Sequence, residues 1–216
     1  MIVDILYNIM MNAKWEVFFK EKILKIFNEC HTVIDIGGGL RIDKTKNNRF
    51  DSKRAWILPL LDKTVYKTLD PVSDYNPDII GDIHNLPFEN DSVESIICLA
   101  VLEHVKNPFK AVSEMFRVLK PGGYCFAYLP FLYNYHPMKG YYDDYFRFTE
   151  DGIKELFKDF YDIQIINVRG RFETLALSSP VGPLRPALCA CAKFVDRIFG
   201  TENTKQTAGF FVFGIA

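Results

Sequence analysis

The residues most able to do chemistry in this sequence are acids at the ends of short apolar runs. Asp35 precedes three consecutive glycines in the stretch VIDIGGGLR (33–41), and Asp70 and Asp82 each follow an apolar run further along the chain. Consecutive glycines let another group approach the backbone closely, and acids beside them accept hydrogen bonds from hydroxyl or ammonium groups. The pattern predicts a small-molecule site. The glycines alone leave open a phosphate, a sulfonium cofactor or a plain turn.

Alternating apolar strands and amphipathic helices are needed to hold these acids in one place. Strand character occurs at 33–36, 65–69, 79–83, 93–100, 124–129, 163–168 and 210–215, and helical spacing at 12–28, 52–62, 107–119 and from Thr149 onward. The fourth strand run is nearly all apolar, which is typical of a strand inside a parallel sheet. We predict an α/β fold with a mostly parallel seven-stranded sheet flanked by helices, in a single domain. Ligands bind such sheets beyond the carboxyl ends of the strands, where the three acids stand.

Length, charge and cysteine content argue against several other classes of protein. The 216 residues, 49% of them hydrophobic, are enough for one core, and a net charge of −1 without a Lys/Arg run predicts no nucleic-acid partner. No apolar run reaches the ~18 residues of a transmembrane segment, and the N-terminus lacks signal-peptide features, so we expect a cytoplasmic protein. The five cysteines include no CxxC pair, and Cys189 and Cys191 with His31 or His84 match no zinc template. We therefore predict reduced thiols and no metal site.

The kind of cofactor is indicated by what the glycine stretch lacks. A dinucleotide site requires G-x-G-x-x-G, but the third position after Gly39 is Ile42, and no P-loop signature is present. Tyr135 and Lys139 have the Tyr-x-x-x-Lys spacing of some nicotinamide oxidoreductases, but they lie in a proline-containing loop. An acid-lined pocket favours a ligand with positive charge. S-adenosylmethionine carries an ammonium and a sulfonium group and no phosphate.

Five motifs in order along the chain resemble those of the class I S-adenosylmethionine-dependent methyltransferases, in particular the methyltransferase type 11-like proteins. They are DIGGG (35–39), Asp70, GDIHNLPF (81–88), LAVLEHV (99–105) and RVLKPGG (117–123), and together the resemblance covers roughly residues 30–170. It implies a Rossmann-like fold and S-adenosylmethionine as the cofactor. We expect a helical cap at 1–30 and the methyltransferase domain at 31–216, with an aromatic acceptor loop at 130–148.

The resemblance also implies roles for the residues of the cofactor site. Asp35, Gly37, Gly38 and Gly39 would hold the methionine moiety, Asp70 the ribose hydroxyls, Asp82 and the Ile83 amide the adenine, and Leu99 and Ala100 would line the sulfonium side. The chain departs from the family at Arg41, where the family has glycine, and the segment 41–50 is polar and aperiodic. We expect the methionine end to be held differently here, or this segment to become ordered on binding.

A second group of chemistry-bearing residues follows the fifth strand, in the segment 129–149. Its eight aromatic side chains between Phe131 and Phe148 indicate a lid or an acceptor pocket rather than a solvated linker. For Phe146 and Phe148 we expect only a cover over the sheet edge. The candidate acceptor-binding residues are Tyr133, His136, Tyr141, Tyr142, Asp144 and Arg147, of which the last two could instead brace the loop as an ion pair.

The expected reaction is an in-line methyl transfer, in which the protein mainly aligns the reactants and excludes water. A hydroxyl acceptor must also lose its proton, and His136 and His104 are the candidate catalytic bases; a carboxylate acceptor needs none. The pattern H-P…D-Y-F-R-F-T resembles methyltransferases of glycan biosynthesis, so we expect O-methylation of a small molecule or glycan. The alternative, motivated by Arg41, is a catalytically inactive cofactor-binding partner or regulatory module.

One further segment has amphipathic character. Residues 183–199 could contact a membrane surface or a partner protein, but packing against the sheet edge is the favoured expectation.

Overall fold

The structure is a computed structural model that describes residues 13–46, 50–180 and 182–216. Its strands are β1 (Thr32–Ile36), β2 (Val65–Asp70), β3 (Ile79–Ile80), β4 (Val93–Leu99), β5 (Leu119–Pro130), β6 (Tyr161–Val168) and β7 (Gly209–Ile215). Its α-helices are α1 (Lys14–Glu29), α2 (Pro108–Val118), α3 (Glu150–Leu156), α4 (Arg171–Leu177) and α5 (Arg185–Ile198), and a long 3-10 helix spans Ser52–Lys63.

The seven strands form one sheet in the order β3-β2-β1-β4-β5-β7-β6. β1 lies between β2 and β4 and is parallel to both, with Asp35 in register with Thr68 on one side and Ile97 on the other. β7 lies between β5 and β6 and runs antiparallel to both of them. The predicted α/β fold with a mostly parallel seven-stranded sheet is confirmed. The carboxyl ends of β1, β2 and β4 therefore meet at one edge, which is where such sheets bind ligands.

Helices cover both faces of the sheet because the central strands carry apolar side chains on both sides. One face packs against α2 and α3, which bury Val112, Met115 and Ile153. The opposite face packs against α1, which buries Ile23 and Ile26. The removal of this apolar surface from water on both faces is the main stabilising contribution to such a fold.

The first helix forms where the sequence predicts it and lies on a face of the sheet. Its start is fixed by the amide of Ala13, which donates to the Glu16 carboxylate at 2.7 Å. The ring of Phe19 packs 5.8 Å from that of Phe126, a fully buried side chain of β5. The expected helical cap at 1–30 extends beyond this helix, and its residues 1–12 lie outside the described residues.

Three elements differ from the sequence prediction, each for a structural reason. The helix predicted at 52–62 is a 3-10 helix, and Pro59 within it lacks the N–H that an α-helix would use. β5 begins at Leu119 rather than at Tyr124, because Leu119 already pairs with Val93 and the next four residues bulge out of register. The helix α4 was not predicted; its first turn is fixed by hydrogen bonds to Asp196, which lies far away in the sequence.

The amphipathic segment 183–199 forms α5, which packs chiefly against α4 rather than against the sheet edge as we expected. The link is Asp196, which is buried and accepts hydrogen bonds from the amides of Phe172 and Glu173 at the start of α4. These bonds satisfy amides that a helix N-terminus leaves without partners. The exposed apolar side chains of α5 are Leu188, Phe194 and Ile198. Within the described residues, no helix has both the length and the apolar character needed to cross a membrane.

Candidate active site

The glycine stretch after β1 folds back as a tight loop around the carboxylate of Asp35. Asp35 is fully buried, and its oxygens accept hydrogen bonds from the amides of Gly39 at 3.0 Å and Leu40 at 2.9 Å. The hydroxyl of Tyr66, on β2, donates a third bond at 2.6 Å. Burial raises the pKa of Asp35 to about 6, although all three donors act to lower it. Asp35 therefore shapes the loop from beneath instead of presenting its carboxylate at the surface.

The loop lies so close to the end of β4 that two of its positions require glycine. A Cβ atom on Gly37 would lie 2.5 Å from the side chain of Val101, and one on Gly39 would lie 2.7 Å from Leu99. Gly37 also has a φ of 75°, in the left-handed region that favours glycine. The close backbone approach indicated by the sequence is thus an approach of the chain to itself, and it forms the floor of a pocket.

Arg41 occupies the position at which the chain departs from the family pattern. Its φ is 55°, a left-handed value that glycine adopts more easily than arginine does. Its amide donates to the carbonyl of Gly38 at 3.1 Å, and its carbonyl accepts from the amide of Asp51 at 2.9 Å. The backbone therefore keeps a conformation suited to glycine, and the departure changes the side chain rather than the form of the loop.

An open pocket lies beside this loop, between the ends of β1 and β2. Its lining includes Gly37, Gly38, Arg41, Tyr66, Asp70 and Tyr75. The half-buried carboxylate of Asp70 accepts from the amide of Val72 at 2.8 Å through Oδ1, and its Oδ2 has no hydrogen bond to any described residue. Burial raises the pKa of Asp70. An oxygen that lies beside the pocket and remains available is suited to accept hydrogen bonds from the hydroxyls of a ligand.

Asp82, beyond β3, is exposed and is held by His84. Its Oδ1 accepts from the amide of His84 at 2.9 Å and lies 2.7 Å from the ring Nδ1. The other ring nitrogen, Nε2, accepts from the amide of Asn107 at 3.3 Å, so Nδ1 carries the proton and donates to Asp82. Although burial acts to raise the pKa of Asp82, the two bonds from His84 lower it. The side chain of the neighbouring Ile83 is buried in the core.

The aromatic loop at 130–148 crosses the same edge of the sheet and reaches the pocket beside the glycine loop, so the two form one cleft. The Tyr141 ring stacks on that of Tyr75 at 5.5 Å, and its hydroxyl donates to Asp74 at 3.1 Å. The Tyr75 hydroxyl contacts the Met138 sulfur at 3.2 Å. Since Tyr75 also lines the pocket beside Asp70, this part of the loop covers the cleft from above.

The position of the loop is fixed by an ion pair between Asp144 and Arg147. The Asp144 side chain is fully buried, and its two oxygens accept a forked pair of bonds from the guanidinium at 2.5 and 2.6 Å. The amide of His136 donates to Asp144 at 2.8 Å. Arg147 holds the pKa of Asp144 down at about 2, although burial acts to raise it. These contacts favour the bracing role that the sequence left open for this pair.

Three side chains converge beneath the loop: Glu103, His104 and His136. Both histidines donate from Nδ1 to main-chain carbonyls, His104 to Asp143 at 2.7 Å and His136 to Asn134 at 2.9 Å. Their Nε2 atoms lie 3.7 and 3.8 Å from Oε1 of Glu103. Burial raises the pKa of Glu103 to about 8 and lowers that of His104.

The structure therefore separates the predicted site residues into two groups. The first, around the glycine loop, contains Asp35, Gly37, Gly38, Gly39, Asp70, Leu99 and Ala100, with Asp82 and Ile83 after β3. The second contains His104, His136, Tyr133 and Tyr142, whose rings meet at centroid distances of 4.3–5.2 Å, and it includes the Asp144–Arg147 pair. Phe148 is buried in the core, as expected for a cover over the sheet, whereas Phe146, for which we expected the same role, is 36% exposed.

Three contributing residues were not predicted from the sequence. Tyr66 bonds to Asp35 from the neighbouring strand, and Arg54 donates to the carbonyl of Gly39 at 2.5 Å; both depend on long-range contacts that spacing does not reveal. Glu103 lies within the LAVLEHV motif, four residues after the end of β4, and the acid among these apolar residues was the available signal. Neither of its carboxylate oxygens has a hydrogen-bond partner among the described residues.

Comparison with known proteins agrees with this arrangement. Residues 65–127 match the family model described as a methyltransferase domain. A curated relative, an uncharacterised 37.1 kDa protein encoded in a transposon of Streptomyces fradiae, is 48% identical over 44 residues. That match spans 20% of this chain and 13% of the relative, so it reports on a segment rather than on a whole protein.

Solved structures extend the comparison to nearly the whole chain. An S-adenosylmethionine-dependent methyltransferase of Archaeoglobus fulgidus superposes with a TM-score of 0.57 at 13% identity, covering 98% of this chain and 99% of that one. Phosphoethanolamine N-methyltransferase 2 of Haemonchus contortus, solved with S-adenosylmethionine, gives a TM-score of 0.50 at 17% identity over 90% of this chain and 51% of that one. At these identities the likeness establishes a shared fold.

Proposed function

This chain is a class I S-adenosylmethionine-dependent methyltransferase by its fold and its methyltransferase-domain match, and we propose that it methylates a hydroxyl of a small molecule or glycan. The observation that carries the proposal is the joining of two sites at one sheet edge. A glycine-floored pocket with an available Asp70 oxygen lies on one side, and two histidines with free Nε2 atoms lie on the other.

The residues of the first site fit S-adenosylmethionine. The glycine loop packs directly against the end of β4, where a Cβ atom at Gly37 or Gly39 would collide, and in this position it forms the floor of the pocket. In the proposed complex Asp70 accepts hydrogen bonds from the ribose hydroxyls, and Asp82 from the adenine amino group. Asp35 holds the loop, while Leu99 and Ala100 line the sulfonium side. When bound, the cofactor supplies a methyl group that its sulfonium already activates.

The residues of the second site suit an acceptor that must lose a proton. Each histidine donates from Nδ1 to a carbonyl, so in the neutral ring Nε2 is left as a hydrogen-bond acceptor. The rings of Tyr133 and Tyr142 pack against His136 and His104 and offer flat faces for an acceptor such as a sugar. With an acceptor in place, exclusion of water from the cleft would strengthen the polar contacts inside it.

The alternative, a catalytically inactive cofactor-binding module, is not favoured. Its motivation was Arg41, but the loop keeps its hydrogen bonds and its left-handed turn at that position. A nicotinamide oxidoreductase also finds no support, because Tyr135 and Lys139 lie in the acceptor loop and not on a helix.

Calorimetric titration with S-adenosylmethionine, S-adenosylhomocysteine and NAD tests the first half of the proposal. We expect micromolar-range binding of the two adenosyl ligands and none of NAD. Binding of NAD alone would overturn the assignment. The second half is tested by incubating the protein with a labelled methyl donor and a panel of sugars, phenols and carboxylic acids. Transfer to carboxylic acids alone would contradict a hydroxyl acceptor.

A further inference from the structure

The cluster of Glu103, His104 and His136 contains three acceptor atoms that face one another. Oε1 of Glu103 and the two Nε2 atoms all lie within 4.8 Å of one another. Both Nδ1–H groups are already donated to carbonyls, so neither Nε2 of a neutral ring can donate into the cluster. Two imidazole nitrogens and a carboxyl group therefore converge, and no described residue donates a hydrogen bond to the Glu103 side chain between them.

The carboxylate of Glu103 is the least expected part of this arrangement. Its side chain has an exposed fraction of 0%, and both of its oxygens lack a hydrogen-bond partner among the described residues. A buried polar group without a partner costs roughly 1–3 kcal/mol, so native structures keep one only where something else satisfies it. Among the described residues, the guanidinium that acts on Glu103 is that of Arg147, and it is engaged with Asp144 and with main-chain carbonyls.

We propose that Glu103 Oε1, His104 Nε2 and His136 Nε2 bind a divalent transition-metal ion, with zinc as the reference ion. Two imidazoles and one carboxylate form the ligand set of zinc sites that keep an open position. Ligand atoms about 2.1 Å from a tetrahedral zinc lie roughly 3.4 Å apart, so the observed 3.7 and 3.8 Å separations need to shrink by a few tenths of an ångström.

The surroundings of the cluster have the features that orient metal ligands. A ligating histidine normally donates its other ring N–H to a carbonyl or carboxylate, and both histidines do so here. The backbone of the third ligand is also fixed, because the carbonyl of Glu103 accepts from the amides of Tyr145 and Phe146. The Asp144–Arg147 pair beside the cluster is neutral as a unit, and its guanidinium is bonded to Asp144 rather than to Glu103.

This proposal concerns the acceptor site of the proposed function. It rests on that function only for the role of the ion. In that role the imidazoles serve as ligands, and the ion rather than a free imidazole makes an acceptor hydroxyl more acidic by binding its oxygen. The side chain of His136 is 34% exposed, so the open positions of the ion would face the cleft. Metal binding itself does not depend on the identity of the acceptor or on the cofactor.

The test is a titration of the chelator-stripped protein with zinc and, separately, with cobalt, in the absence of cofactor. The protein should carry Cys189→Ser and Cys191→Ser, because these less buried thiols are competing ligands. We expect one equivalent to bind, with visible absorption from the cobalt form and a raised melting temperature with zinc. His104→Ala, His136→Ala and Glu103→Gln should each abolish stoichiometric binding. His31→Ala, an exposed histidine outside the cluster, should leave it unchanged.

Two outcomes would overturn the proposal. One is the absence of stoichiometric binding by either ion in the protein with both histidines intact, which would mean that a donor group of the acceptor alone fills the cluster. The other is binding that survives His136→Ala and Glu103→Gln but is lost in His31→Ala. Because the titration contains no S-adenosylmethionine, failure of the cofactor assignment leaves this result unaffected, and calorimetry with the cofactor tests that assignment separately.

Discussion

The two halves of the cleft differ in how their buried carboxylates are bonded. Asp35, beneath the cofactor loop, accepts three hydrogen bonds from the chain itself. Glu103, beneath the acceptor loop, accepts none at either side-chain oxygen among the described residues. Both side chains are fully buried. The half that we assign to the cofactor is therefore held by its own hydrogen bonds, whereas the half that we assign to the acceptor leaves Glu103 unsatisfied, in keeping with the ligand that we propose there.

This incompleteness is confined to one point of the acceptor half. The loop that covers Glu103 is held by the forked bond between Asp144 and Arg147 and by main-chain bonds from residues 145 and 146 to the Glu103 carbonyl. A rigid frame around an unsatisfied group is what a binding site requires, because the group cannot relax towards other partners. We therefore expect different effects from substitutions in the Asp144–Arg147 frame, in the glycine loop and in the residues that support them.

The largest effect is expected from breaking the frame with Asp144→Ala. The guanidinium of Arg147 would lose its carboxylate partner and the amide of His136 its acceptor, so we expect a loss of about 3 kcal/mol in the free energy of unfolding. Urea denaturation measures this loss. Asp151→Ala, at a largely exposed carboxylate that pairs with Lys154 at 3.8 Å, is the matched control and should change stability by less than about 0.5 kcal/mol. Equal losses in the two variants would show that the loop is not held by this pair.

Gly39→Ala tests whether the glycine loop already has its final position before the cofactor binds. The added Cβ would meet Leu99 at 2.7 Å, so the loop must move away from β4, and we expect affinity for S-adenosylmethionine to fall on the order of 100-fold. Gly182→Ala is the control, because no atom lies within 4 Å of a Cβ built there. Calorimetry compares the two variants. An unchanged affinity in Gly39→Ala would mean that the loop has no fixed position before the cofactor binds.

The fold was largely predictable because its signals are local. The nearly continuous apolar run at 93–100, the Asn107-Pro108 helix start and the glycines after β1 each report on a few adjacent residues, and the strands formed close to where they were expected. The exceptions are elements whose bounds depend on contacts between residues that are far apart in the sequence. β5 starts at Leu119 because Val93 pairs with it, and α4 depends on Asp196 in another helix.

The site residues that could be predicted from the sequence are those that directly follow the ends of strands. Asp70 and the glycines belong to motifs in the chain, so their positions could be anticipated. The difference in hydrogen bonding between Asp35 and Glu103 could not be anticipated. It depends on the donors that the tertiary structure brings to each carboxylate, such as the Tyr66 hydroxyl from a neighbouring strand. The expectation of no metal site likewise considered spacing around the cysteines and not the meeting of His104 with His136.

Asp70→Ala tests whether the available oxygen of Asp70 binds the cofactor. Asp70 has an oxygen without a bond to any described residue, so its loss should spare the fold and weaken S-adenosylmethionine binding by about 1–3 kcal/mol. Asp62→Ala, at an exposed acid of the 3-10 helix, should leave binding as it is. Calorimetry with melting curves separates affinity from stability. If Asp70→Ala binds normally, Asp70 does not contact the cofactor.

Glu114→Gln tests the support beneath the Asp82 segment, and its effect should depend on pH. Glu114 accepts from both Arg117 and the amide of Leu86, and Arg117 holds the pKa of Glu114 down at about 2. A lowered carboxyl pKa stabilises the fold above the unfolded value of ~4.3, and this contribution is lost as pH falls towards ~2. We expect the variant to lose about 1.5 kcal/mol of stability at neutral pH.

Urea denaturation at several pH values checks this expectation, because Gln does not titrate in this range. The stability difference between wild type and Glu114→Gln should be constant above about pH 5 and should shrink steadily below about pH 4. Glu155→Gln, at an exposed acid whose partner is Lys158, is the control and should show a much smaller difference at every pH. A Glu114 difference that does not vary with pH would mean that shape rather than charge supports the segment.

The smallest effect is expected from Arg41→Gly, which restores the residue type of the family motif. Arg41 holds a φ of 55°, and the left-handed conformation costs a residue with a Cβ atom roughly 1–2 kcal/mol. Glycine removes this cost, but it is also more flexible in the unfolded chain, which offsets part of the stabilisation. We therefore expect a net stabilisation of about 0.5–1 kcal/mol. Arg41→Ala is the control that removes the guanidinium and keeps the Cβ atom. If the cofactor half is preformed, Arg41→Gly is more stable than Arg41→Ala and binds S-adenosylmethionine at least as tightly. If instead both variants bind more weakly to the same extent, the guanidinium itself contacts the cofactor, and this loop, like the Glu103 cluster, needs a ligand to be complete.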